Sequence, residues 1–359
     1  PNAEADITGI SFEEDVLANS YIDLNPSYDE SQNAYPIRIS VKEGTDMTSL
    51  APIFELTPGA TISPASGSVQ NFTTPVRYTV TSEDKAWHRV YAITAREQKA
   101  SNIPTTYHFE KVRIMQNVWQ EFYEEQDSGN ELTWASGNKG FKWAMSGAAT
   151  EDYPTTQIDN GKTGKCVKLE TRLTGDLGNM VGMPIAAGNL FIGSFDMLNA
   201  ITNPLSATRF GTPFYNKPLR LTGYYKYKAG EQFYENGEYT SRKDIFNIYA
   251  IFYDGVKYDS AGKGTDVTLD GNLPNQNYEH PSMVALALVS NPQETEGDEW
   301  KFFDIPFDYQ RYGKKIDEAR LAKGEYKIGI IFASSKDGAT FEGAPGSTLL
   351  IDEVELIYE

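Results

Sequence analysis

Ser334-Ser335-Lys336-Asp337-Gly338, then Phe341-Glu342-Gly343, then Gly346-Ser347-Thr348-Leu349-Leu350-Ile351-Asp352-Glu353-Val354-Glu355-Leu356: this stretch decides the fold. Its first half is dense in turn formers, with Asp337-Gly338 at the tip. Its second half is an apolar, alternating run that ends the chain as a strand, with Asp352 near its start. A loop-rich hairpin closed by a terminal strand is how a β-sandwich finishes.

Outward from that strand the pattern stays β. Phe246, Ile248, Ala250 and Phe252 alternate with Asn247, Tyr249, Ile251 and Tyr253, the period of two that a half-buried strand requires. Further strands are expected at 166–171, 191–197, 219–227, 245–253, 283–289, 300–306, 326–333 and 349–358. The one helical signal is Ile316–Ala322, at most two turns. Parallel α/β folds and TIM barrels need long helices between strands, and none are available. Residues 107–359 are therefore expected to form a two-sheet jelly roll. Residues 1–98 carry six or seven short strands, including a hairpin of Tyr78–Thr81 and Arg89–Ala95, and read as an immunoglobulin-like sandwich. A polar, aperiodic stretch at 99–106 is the expected linker. The fold class is all-β throughout.

Among 359 residues, 13% are aromatic and 40% hydrophobic, enough for a full core. The net charge of −18 leaves no cationic excess for phosphates, so no nucleic-acid partner is expected. It equally opposes adsorption to anionic lipid, while neutral ligands are not penalised. No run approaches the roughly 18 apolar residues of a membrane span. One cysteine, Cys166, precludes an internal disulfide, and its alternating surroundings mark it as a core residue. The chain starts at Pro1 in a polar stretch without a signal peptide, which reads as a trimmed mature form.

Several ordered motifs carry a family resemblance: Phe109-Glu110, Trp134-Ala135-Ser136-Gly137-Asn138-Lys139-Gly140-Phe141, Arg209-Phe210-Gly211 with Pro213-Phe214, Gly223-Tyr224-Tyr225-Lys226-Tyr227-Lys228 with Gly230, and the run 334–356. Over roughly the last 250 residues the chain resembles the putative carbohydrate metabolism domain family of Bacteroidetes surface and periplasmic proteins. The segments Gly44–Leu50, Gly59–Pro64 and Tyr78–Ser82 resemble the immunoglobulin-like domains that often precede it. The resemblance implies a jelly roll similar to carbohydrate-binding modules and some β-sandwich glycosidases. It also implies an exported protein of the periplasm or outer-membrane surface, a lipid anchor in the precursor, and a polysaccharide or oligosaccharide partner.

A sugar site needs flat apolar faces for stacking and a few planar polar groups for hydroxyls. Trp134, among the small residues of an expected loop, is a stacking candidate, with burial as the alternative; Trp143 is a second. Trp300 and Trp87 read as core. If Phe246, Ile248, Ala250 and Phe252 face inward, Tyr249 and Tyr253 face out. The phase of 219–227 likewise sends Tyr224 and Lys226 outward. These four are expected to line a concave groove, the bland alternative being a solvated Tyr-rich face. Asn138 and Arg209 supply hydrogen-bond donors, Arg209 through its fork, a surface ion pair being the alternative. Ser335 and Lys336 are expected at the rim, where a plain turn explains the same residues.

Jelly-roll carbohydrate modules often hold a structural Ca²⁺ between acids on the first and last strands, and Glu110 and Asp352 match those positions. No zinc set, hydrolase elbow, P-loop or dinucleotide fingerprint is present. The expected function is non-catalytic glycan binding in carbohydrate utilisation. The alternatives are a glycoside hydrolase with a carboxylate pair, and a structural or adhesive surface protein.

Overall fold

The structure, a computed structural model, describes residues 2–359. The chain divides into two compact units, residues 1–100 together with Glu359, and residues 101–358. Both are β-rich, as the sequence periodicity requires.

In the first unit, Tyr35–Lys42 runs parallel to His88–Gln98, which pairs antiparallel with Val76–Thr81, and that strand with Thr61–Ser63. A second, two-stranded sheet joins Ile7–Ser11 to Ile53–Leu56. Ile37, Ile39 and Val41 are buried with Tyr78, Val80 and Ile93 between the sheets. Trp87 departs from expectation. The turn after Thr81 is closed by Ser82 Oγ, which takes the Trp87 N–H at 3.1 Å, and the indole stands 65% exposed. The small core is already filled by Phe54, Phe72 and Tyr78.

In the second unit two antiparallel sheets face each other. The six-stranded sheet has the order Thr155–Asp159, Lys165–Glu170, Thr348–Tyr358, Pro218–Lys228, Lys301–Pro306, with Thr106–Tyr107 also paired to the terminal strand. The five-stranded sheet has the order Asn189–Phe191, Tyr326–Ala333, Asn247–Asp254, Met283–Leu288, with Thr212–Pro213 added to Tyr326–Ala333. Leu221, Tyr225, Leu349, Ile351 and Leu356 from the first sheet meet Phe246, Ile248, Phe252, Ile330 and Phe332 from the second. Cys166 is buried in the six-stranded sheet, and burial pushes its thiol up to about 12.

The terminal strand breaks its own alternation. Ile351 and Val354 both enter the core, three residues apart, because Glu353 adopts φ +48 in a bulge. The pairing register with Pro218–Lys228 shifts there, opposite Gly223. A Cβ on Gly223 would lie 2.8 Å from Val354 Cγ2 and 2.7 Å from Phe303 Cζ, so the site demands glycine.

The outer side of the five-stranded sheet is not an open hollow. A three-stranded piece, Gly193–Phe195, Thr208–Phe210 and Leu269–Asp270, lies near it with the turn around Leu273–Tyr278. Phe210, Leu269, Leu273 and Tyr278 pack onto Tyr249, Ile251, Tyr253 and Ile331. Asn247 through Tyr253 are consequently buried on both faces. The segment expected as one strand over 191–197 is interrupted at Ile192, and short helices flank it, Gly175–Met180 before and Met197–Thr202 after.

Candidate functional site

What remains open on that sheet is one end, over Asn247, Tyr249, Ile331 and Ala333, where a cavity of about 170 Å³ forms. Helix Asn138–Ala144 contributes Phe141 and Trp143 to its wall, and helix Met197–Thr202 contributes Ala200 and Ile201. Ser335, Lys336, Gly338 and Phe341 form a further side. Among the described residues lining it there is no Asp or Glu.

Each wall has a local cause. Asn138 is buried at the start of its helix, its Nδ2 donating to the Thr155 carbonyl at 2.8 Å and its Oδ1 accepting the Thr155 N–H at 3.1 Å. That lock leaves Asn138 no role as a sugar ligand, contrary to expectation, but it fixes the helix. Phe141 then turns inward, edge-on to Tyr153 at 5.3 Å, while Trp143 stays 37% exposed over the cavity. Helix Met197–Thr202 is capped by Asp196, whose Oδ1 accepts from the Leu198 and Asn199 N–H groups.

The 334–343 segment is held from beneath by Asp244. Its Oδ2 accepts from Ser335 Oγ at 2.6 Å, the Ala344 N–H at 2.7 Å and Ser347 Oγ at 2.7 Å. Burial raises the Asp244 pKa, and these donors pull it back only in part. Ser335 is therefore a scaffold hydroxyl, its Oγ also bonded to Thr171 Oγ1 at 2.6 Å, and not the free rim group expected. From the outside, Arg242 bridges Glu235 at 3.1 Å and Asp337. Phe341 ends the turn with φ +59, a left-handed conformation that costs a non-glycine residue free energy and is kept only where surroundings enforce it. Lys336 is exposed, and its ammonium makes no ion pair among the described residues.

The cavity thus unites Trp143, Tyr249, Ser335 and Lys336 among the residues expected from sequence. Trp134 is not with them. It is 1% exposed, its ring 5.0 Å from Tyr107, 5.8 Å from Phe109 and 6.0 Å from Phe332, so no face is open to stack on. Tyr253 is fully buried and donates to the Phe210 carbonyl at 2.6 Å. Strand phase was right for both Tyr249 and Tyr253; the covering layer makes their outer face a second core. Arg209 points to solvent because its neighbours Thr208 and Phe210 take the cavity side. Tyr224 and Lys226 do face outward, but from the six-stranded sheet. There Tyr224 meets Phe302 at 5.2 Å, and the Lys226 ammonium lies 5.0 Å from the Trp300 ring and 2.7 Å from Asp298. Trp300, expected in the core, is only half-buried there.

Glu110 and Asp352 converge on one loop, between Thr155–Asp159 and Lys165–Glu170. Glu110 Oε1 accepts the Lys165 N–H at 2.8 Å and Asp352 Oδ2 the Thr163 N–H at 3.0 Å. Amide hydrogens thus point at the oxygens a Ca²⁺ would need, and among the described residues no group of three or more His, Cys, Asp or Glu side chains is placed to hold a metal. The acids are satisfied by the loop, and the arrangement does not fit a cation as it stands.

Sequence reasoning missed Phe141, Phe195, Phe341, Asn189 and Asn247. A signal existed for one of them: Phe141, Ala144 and Met145 recur at helical spacing.

Residues 108–357 match the family model described as "Putative carbohydrate metabolism domain". The chain belongs to that family. Residues 23–95 match the model "SGBP, N-terminal". A crystal structure from Bacteroides thetaiotaomicron, described as a putative glycoside hydrolase, is 45% identical, covers 100% of this chain and 98% of its own, and superposes with a TM-score of 0.64. Another of the same description, from Bacteroides vulgatus, is 50% identical over 72% of this chain and 100% of its own, with a TM-score of 0.67. A comparison with curated proteins finds no match. Among the described residues no helix is long and apolar enough to cross a membrane.

Proposed function

We propose that this chain is an exported glycan-binding protein of carbohydrate utilisation, and that the cavity beside Trp143 takes one ring of a neutral saccharide. The observation that carries this is the cavity's make-up within a carbohydrate-metabolism domain. The rings of Trp143, Phe341 and Phe195 offer flat apolar faces, the exposed Lys336 ammonium offers a polar contact, and no carboxylate lines it. Stacking with a few fixed polar groups is how a protein holds a sugar ring. Hydrolysis with retention or inversion asks for two carboxylates flanking the bond, which this cavity lacks. Export is supported by the SGBP-type module and the family.

The test is a screen of soluble neutral glycans against the full chain, Trp143→Ala and Lys336→Ala. We expect binding by the full chain and its loss in Trp143→Ala. No binding to any glycan would overturn the proposal. The description of the two relatives favours a second reading, a glycoside hydrolase, and release of shorter sugars in the same screen would establish it.

A further inference from the structure

Phe141 is a partition. One side of it lines the cavity just described, and the other lines a second, more open cavity of about 560 Å³ bounded by Met145, Asp152, Glu170, Arg172, Leu173 and Pro345. The two differ in chemistry. Three charged groups line the second: Glu170 lies 3.2 Å from Arg172 Nη2, and Asp152 stands on the short turn Thr150–Asp152. One cation and two anions among the lining residues disfavour an anionic ligand and leave a neutral one unpenalised.

One polar group at this second cavity is unspent. The Asp152 carboxylate is exposed and forms no hydrogen bond or ion pair among the described residues. A sugar hydroxyl can donate to it. In the same lining, Leu173 is 52% exposed, and with Met145 and Pro345 it presents an apolar surface for a C–H face.

We propose that this second cavity is a further saccharide subsite, taking a neutral, polyhydroxylated ring joined to the one beside Trp143, so that the bound glycan spans Phe141. The assignment rests on the Trp143 cavity being a sugar site. The probes are neutral gluco-, manno- and xylo-oligosaccharides of increasing length, titrated calorimetrically against the full chain, Asp152→Ala and Leu173→Ser. Both substitutions fall at exposed positions, and thermal unfolding of each variant verifies the fold. The expected result is affinity that rises from one ring to two or more, and a loss of that rise by about tenfold in Asp152→Ala with single-ring affinity unchanged. Affinity independent of length, or a rise untouched by both variants, would overturn the subsite and leave the Trp143 site standing. Absence of all binding would overturn both. Cleavage of the probes that disappears in Asp152→Ala would overturn a purely binding role for this cavity.

Discussion

Asp352 shows how far a single residue can be read from sequence. Its place near the start of the last strand was legible, and so was its convergence with Glu110. Its state was not, because that depends on a loop folding over it from another hairpin. Burial pushes its pKa up to about 6, against the opposing pull of the Thr163 and Glu353 N–H groups. The native state therefore holds this proton more tightly than the unfolded chain, whose carboxyl titrates near 3.8. The resulting stabilisation is complete below about pH 4 and is lost as pH rises through about 6. Asp352→Asn should accordingly be more stable than the parent near neutral pH, with the difference vanishing toward pH 4, as read from urea midpoints. A constant difference across that range would refute the assignment. The same residue decides the calcium question. With its oxygens turned to amides, the melting temperature should not move when EDTA or millimolar Ca²⁺ is added, and a calcium-dependent rise would restore a metal role. Trp134 teaches the complementary lesson. Glycine, serine and alanine around a tryptophan look like a loop, but small neighbours also let a large ring sink, and only its partners Tyr107, Phe109 and Phe332 settle which happens.

At the scale of elements, strands were legible and short helices were not. The runs 326–333 and 349–358 are strongly periodic, and their observed bounds, Tyr326–Ala333 and Thr348–Tyr358, differ by at most one residue. Helices of six or seven residues such as Asn138–Ala144 and Gly175–Met180 lack the length for a clear helical period and are held by tertiary contacts instead. The alternation in Asn247–Asp254 fixed which side chains share a face but could not reveal that both faces are covered. Two element-level expectations follow. Gly223→Ala forces a methyl against Phe303 and Val354 at the bulge and should destabilise the protein by about 2 kcal/mol, measured by denaturant unfolding. Arg242→Ala releases the Phe341 segment from its outer brace. Its ion pairs are partly exposed, so stability should change by less than about 1 kcal/mol, while glycan affinity falls. Unchanged affinity would mean that Asp244 alone sets the rim.

For the molecule as a whole, the all-β class follows from the absence of long helical periods. The layer that covers the five-stranded sheet comes from distant segments, around 193–210 and 269–278, whose meeting no local pattern encodes. Each unit has its own apolar core, one built on Ile37, Ile93 and Tyr78, the other on Ile248, Phe332 and Ile351. Scanning calorimetry of the full chain should therefore resolve two transitions. A single transition with equal calorimetric and van't Hoff enthalpies would show that the two units melt as one.

The lone thiol gives that experiment a chemical witness. Cys166 sits inside the six-stranded sheet with its ionisation pushed to about 12, so almost none of it is thiolate at neutral pH. Alkylating reagents should ignore the native protein and modify it only when that sheet opens. Pulse labelling then dates the opening of the larger unit with no introduced probe.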